Sequence, residues 1–130
     1  MFVKFDLSIG DFLDRMSISE IKKYKIGGEH LNADFIRYES VYDSFIDSAA
    51  EDKKEQIHTT YEELYRINSK LWEVEDLIRN ATKDFEIVEL SRQIISLNDS
   101  RAFNKKAIDQ YFGFCGDIKK YSGAFRNYTV

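Results

Sequence analysis

The chain is 130 residues long, 43% hydrophobic and 32% charged, with a formal net charge of −4. That composition folds around one core and is too short for two. No run of Lys and Arg stands out, which argues against a duplex nucleic-acid partner. No apolar run approaches the roughly 20 residues that span a bilayer, so no membrane partner is expected.

The first residues, MFVKFDLSIGDFLDRM, lack the long apolar stretch of a signal peptide, and the expected location is the cytoplasm. Cys115 is the single thiol, without a second for a disulfide or a metal pair, and reads as a small apolar residue in a Gly-flanked turn. Proline is absent, so no ring stops a helix.

Val3, Phe5 and Leu7 alternate with Lys4 and Asp6, a period of two that leaves room for one short N-terminal strand. Ser8 with Asp11 resembles a capping box, and helix 1 is predicted from Ile9 to Ile26, stopped by Gly27-Gly28. Helix 2 should start near Asn32 as N-cap, with Leu31, Phe35, Tyr38, Tyr42 and Phe45 as an aromatic inner stripe. Plain core packing accounts for that stripe. Ser48 and Glu51 form an S-x-x-E start for helix 3, which should run to Ala81 and reach about 45 Å. After a break at Thr82-Lys83, helix 4 runs from Asp84 to Phe112 and Gly113 ends it. So short a break folds helices 3 and 4 into an antiparallel hairpin. The remaining tail is irregular by pattern; pairing with the N-terminal strand and wrapping the bundle both stay open. The fold class is therefore all-α: one small helical bundle over residues 1–130, dominated by a long hairpin.

Helix 3 keeps a clean heptad, with Ile57, Leu64, Leu71 and Ile78 at one seam position and Thr60, Ile67, Val74 and Ala81 at the other. Asn68, Glu75, Trp72 and Arg79 lie on the wall beside it. Helix 4 starts with Ile87, Leu90, Ile94 and Leu97, then puts Arg101 and Asn104 in the seam before Ile108 and Tyr111 resume. A cation inside an apolar seam is costly unless paired, so Arg101 needs a carboxylate neighbour or an anionic ligand. Folding about residue 82 sets Asn68 level with Asn98 and one turn from Arg101, and sets Glu75 and Asp76 level with Glu89 and Arg92. Asn98 and Lys105 share the shoulder of helix 4. Two polar layers are expected, which act either as a register-fixing network or as a binding pocket. Helix 1 adds Asp14, Arg15, Glu20 and Lys22.

The stretches SIGDFLDRMSISEIK, INSKLWEVEDLIR and ELSRQIISLNDSRAFNKKAI resemble the motif blocks of an uncharacterised family of short bacterial and phage proteins, some encoded near cell-surface glycan genes. The W-x-V-E-D and N-D-x-R-A blocks are the most specific parts, and the likeness covers about two-thirds of the chain. Helix 2 has no counterpart. The C-terminal block departs, with Asp117 for Glu and Lys120 for Ser. The resemblance implies a shared site at Asp14, Arg15, Glu20, Asn68, Trp72, Glu75, Asp76, Arg79, Asn98, Asp99, Arg101 and Lys105, with Lys119 and Tyr121 as further candidates. It implies no reaction.

Three functions fit these residues. In the first, a small anionic ligand binds between helices. Arg15, Arg79, Arg92, Arg101 and Lys105 offer forked or point cations for phosphate, Trp72 a flat face for a base or sugar ring, and Asn68 and Asn98 mixed edges. A nucleotide or nucleotide-sugar would use all three. In the second, the long hairpin with its heptad seam is a homo-oligomeric assembly module that forms a homodimer, and the polar layer sets register and partner choice. In the third, Glu73, Asp76, Glu86 and Glu89 at i, i+3 spacing hold Mg²⁺ in a nucleotide phosphohydrolase, with Asp76 and Glu89 the metal ligands. No resident cofactor is otherwise expected. Two histidines, His30 and His58, are too few for a zinc site, and no catalytic triad spacing or Gly-rich phosphate loop is present.

Overall fold

A computed structural model describes residues 1–4 and 6–113, so Cys115, Lys119, Tyr121 and the rest of the tail lie outside the described residues. Four helices follow one another: α1 Ile9–Lys25, α2 Glu29–Ser48, α3 Glu51–Asn80 and α4 Asp84–Tyr111. Among the described residues there is no strand. Val3 and Leu7 are both exposed, and no strand among the described residues offers them a ladder to pair with.

Ser8 caps α1 as its sequence predicts, its Oγ accepting the Asp11 N–H at 3.2 Å. Gly27 and Gly28 end the helix with φ of 77° and 103°, in the region that favours glycine. Two boundaries differ from expectation. Gly28, not Asn32, is the N-cap of α2, so the helix starts at Glu29. Ser48 is the last residue of α2 rather than the cap of α3; its hydroxyl donates back to the Phe45 carbonyl at 3.1 Å. A serine at a helix end serves either neighbour, and the two-residue link Ala49-Ala50 gave the sequence pattern no marker for the boundary.

The hairpin of α3 and α4 has the expected register. Ile57 packs with Ile108 in the core, and the Tyr111 hydroxyl donates to Asp52 at 3.0 Å. α1 lies across the pair, and Leu13 joins Ile57, Leu64 and Ile108 in one buried cluster. α2 covers this end by packing on Phe12 of α1: Phe45 meets it edge to face at 5.5 Å between ring centroids, and Tyr38 lies tilted against it at 5.6 Å.

The two arms of the hairpin are unequally covered. α3 buries Ile57, Leu64, Ile67, Asn68, Leu71 and Val74. α4 buries only Ile108 and Asp109, both in its last turn. Its expected seam residues Leu90, Ile94 and Leu97 are half-buried and Ile87 is exposed. Toward the Thr82-Lys83 tip the described residues therefore form a thin arm, and among them α4 is covered on one side only.

Candidate functional site

The centre of the molecule is built around one carboxylate. Asp14, in the middle of α1, is 3% exposed and forced between α3 and α4 by the burial of Leu13 and Ser17 on either side. Its Oδ1 accepts Arg101 Nε at 2.8 Å and its Oδ2 accepts Arg101 Nη2 at 2.7 Å, a forked pair. Asn68 Nδ2 donates to the same Oδ1 at 2.9 Å and to Ser17 Oγ at 2.8 Å. Ser17 in turn donates to the Asp14 carbonyl at 2.7 Å. The seam cation of α4 thus has the carboxylate its position demands, supplied by α1.

One turn further along α4, Lys105 Nζ lies 2.7 Å from Asp11 and 3.8 Å from Asp14. At the same turn two backbones come close together. Gly10 N–H donates to Asp109 Oδ1 at 2.7 Å, and a Cβ on Gly10 would stand 2.4 Å from the Lys105 carbonyl oxygen. Glu20 lies apart from this cluster and accepts the Tyr61 hydroxyl at 2.9 Å.

Burial by itself would raise the Asp14 carboxyl. The Arg101 and Asn68 hydrogen bonds and the charges of Arg101 and Lys105 more than offset that and hold it below the usual carboxylate range. Arg101 is raised by its bond to Asp14. Asp109 goes the other way: burial pushes it up, only partly countered by the Gly10 N–H and Ser8. Tyr61 is pushed well above the usual phenol range by burial and by Glu20.

The structure brings together Asp14, Asn68, Arg101 and Lys105 from the predicted set. It leaves the second predicted layer apart. Glu75, Asp76, Glu89 and Arg92 are all exposed, because the arm is too thin to bury them. Asp76 instead pairs with Arg79 one turn along its own helix at 2.7 Å. Asn98 and Asp99 point to solvent, Arg15 is exposed on α1, and Trp72 is half-buried. Among the described residues no group of three or more His, Cys, Asp and Glu side chains is placed to hold a metal ion, Asp76 and Glu89 included. Sequence reasoning missed Gly10, Ser17 and Asp109. A glycine in the first turn of a well-capped helix was the one available signal, since it lowers helix propensity without gain unless another backbone comes close.

Chemically the cluster is a closed fastener. Its two cations, Arg101 and Lys105, are paired with the carboxylates of Asp14 and Asp11, and the third carboxylate, Asp109, accepts the Gly10 N–H. Every buried side-chain polar atom among the described residues has a partner. A site already neutralised from within gives an incoming anion no net attraction. No family model, curated protein or solved structure matches this chain.

Proposed function

We propose that the chain is an interaction module that works as a homodimer, joined through the outer face of α4. The carrying observation is the second apolar stripe on that helix. Phe85, Val88, Ile95 and Phe103 are 69%, 50%, 61% and 71% exposed. At 100° per residue they fall on one narrow face, opposite the seam that meets α3. An exposed apolar row of that length on a thin arm asks for a partner.

A second copy of the chain fits that row. Arg92 and Asp99 lie within the stripe, and neither pairs with an opposite charge among the described residues. In an antiparallel, two-fold pairing of α4 with itself centred between Ile95 and Ser96, Arg92 of each copy meets Asp99 of the other. The same register sets Val88 against Phe103. Isologous interfaces require such self-complementarity, and the charged pair fixes the register. The closed network around Asp14 then has a structural role: it locks α1 across the hairpin and holds the arm's base rigid.

No described helix is long and apolar enough to cross a membrane, and a single cysteine suits the reducing cytoplasm. Sedimentation equilibrium over a concentration series tests the reading. The wild type should behave as a dimer and Ile95→Glu as a monomer with unchanged far-UV circular dichroism. A wild type that stays monomeric throughout the series would refute it. The alternative of a small anionic ligand finds no free cations in the Asp14 cluster and falls to a different part of the molecule.

A further inference from the structure

We propose that the groove between α1 and α2 binds a small organic phosphomonoester, with Arg15 and Lys22 holding the phosphate and the Phe12 and Tyr38 rings holding its apolar body. The groove is open to solvent and has a volume of about 590 Å³, within the range of small-molecule sites. Arg15, Ser19 and Lys22 line it from one face of α1, and Tyr38 from α2.

The charge balance sets this groove apart. The protein as a whole is acidic, with a net charge of −4. Many of its helical cations have a carboxylate one turn away: Lys54 with Glu51, Arg66 with Glu63, Lys70 with Glu73 and Arg79 with Asp76. Arg15 and Lys22 do not. The acid one turn before Arg15 is Asp11, and Asp11 is held by Lys105. Lys22 has Ile18, Ser19, Lys25 and Ile26 at those positions. The lining holds one further cation, Arg37, and a single acid, Asp34, and these two are paired with each other. Among the described residues Arg15 and Lys22 are thus two positive charges without an acidic partner, two helical turns apart with the Ser19 hydroxyl between them. A phosphomonoester is close to a dianion at neutral pH and carries three acceptor oxygens. It matches both the charge and the donors, while the apolar floor favours an ester over inorganic phosphate.

The test uses phenyl phosphate, inorganic phosphate and phenol as probes, in thermal melts and calorimetry at fixed ionic strength. Phenyl phosphate should raise the Tm of the wild type saturably and bind tighter than inorganic phosphate, and phenol should do nothing. Arg15→Gln/Lys22→Gln should bind phenyl phosphate at least tenfold more weakly. The charge-matched control Arg66→Gln/Arg79→Gln should bind as the wild type does. The single Lys22→Gln, exposed at the end of α1, gives an intermediate loss and serves if the double variant misfolds. Ile95→Glu should leave binding unchanged, which keeps this groove separate from the dimer face. Absence of saturable binding to the wild type, or equal weakening in the charge-matched control, overturns the proposal.

Discussion

Asn68 and Arg101 donate to one and the same atom, Oδ1 of Asp14, at 2.9 and 2.8 Å. One comes from each arm of the hairpin, and the acceptor comes from the helix laid across both. Three helices are tied at a single oxygen. Removing Arg101 leaves a buried carboxylate with Asn68 and with Lys105 at 3.8 Å. Arg101→Met should therefore destabilise the fold by about 3–5 kcal/mol, as breaking one side of a buried pair does. Asp14→Asn should cost less, since the half-exposed Arg101 can turn to water. The double variant should be more stable than the sum of the two losses implies, with a coupling of roughly 0.5–3 kcal/mol. Denaturant unfolding of the four proteins checks this, and simple additivity would contradict the described geometry.

The same pair sets an acid limit. The folded pKa of Asp14 lies below its unfolded value, about 3.9. Its contribution is therefore fully present above that unfolded value and is lost as pH falls through the folded one. Asp109 has the opposite sign: its raised pKa gives a contribution present at low pH and lost as pH rises through the folded value. Stability measured from pH 7 down to pH 2 should fall more shallowly below pH 4 in Asp14→Asn than in the wild type. Asp109→Asn, which keeps an acceptor for Gly10, should gain stability near neutral pH. Unchanged slopes in both variants would count against these assignments.

Gly10 is where α1 and α4 touch backbone to backbone. Its φ is unexceptional; the constraint is space, since an added methyl would meet the Lys105 carbonyl at 2.4 Å and Asp109 Oδ1 at 2.9 Å. Gly10→Ala should lose about 1–3 kcal/mol to overpacking despite the better helix propensity of alanine. A stabilised Gly10→Ala protein in thermal melts would show that the two helices can part at no cost.

The hairpin seam should respond unevenly. Leu71 is 5% exposed whereas Ile94, expected opposite it, is half-buried. Leu71→Ala should cost roughly 2–5 kcal/mol and Ile94→Ala clearly less. Equal losses would mean that α4 is more deeply packed than the isolated chain shows.

Much of this architecture was legible beforehand, for identifiable reasons. The heptad of α3, the Ser8 cap and the Thr82-Lys83 break are local patterns, and each predicts its element. Arg101 was legible as a demand: a seam guanidinium requires an acid. Which acid answered depended on the crossing of α1, a tertiary relationship that spacing along the chain does not encode. The second layer at Glu75, Asp76, Glu89 and Arg92 was misplaced for a related reason. The periodicity of a helix tells which residues share a face, and cannot tell that a third helix stops short of that face. The N-terminal alternation of Val3 and Leu7 likewise has no partner strand among the described residues. The outer stripe of α4, Phe85, Val88, Ile95 and Phe103, is no part of the seam read from the sequence, because a helix apolar on two faces blurs its own periodicity.

Charge exchange across α4 tests the central claim most directly. Arg92→Asp puts two acids in each copy's stripe, and Asp99→Arg puts two arginines there. Each variant alone should be monomeric at concentrations where the wild type is a dimer, because like charges face each other across the two-fold axis. Mixed in equal amounts, the two should form a one-to-one heterodimer, since every Asp then meets an Arg in the antiparallel register. Sedimentation of the separate and mixed proteins reads the result. A mixture that stays monomeric, or single variants that dimerise as the wild type does, would contradict pairing through this face.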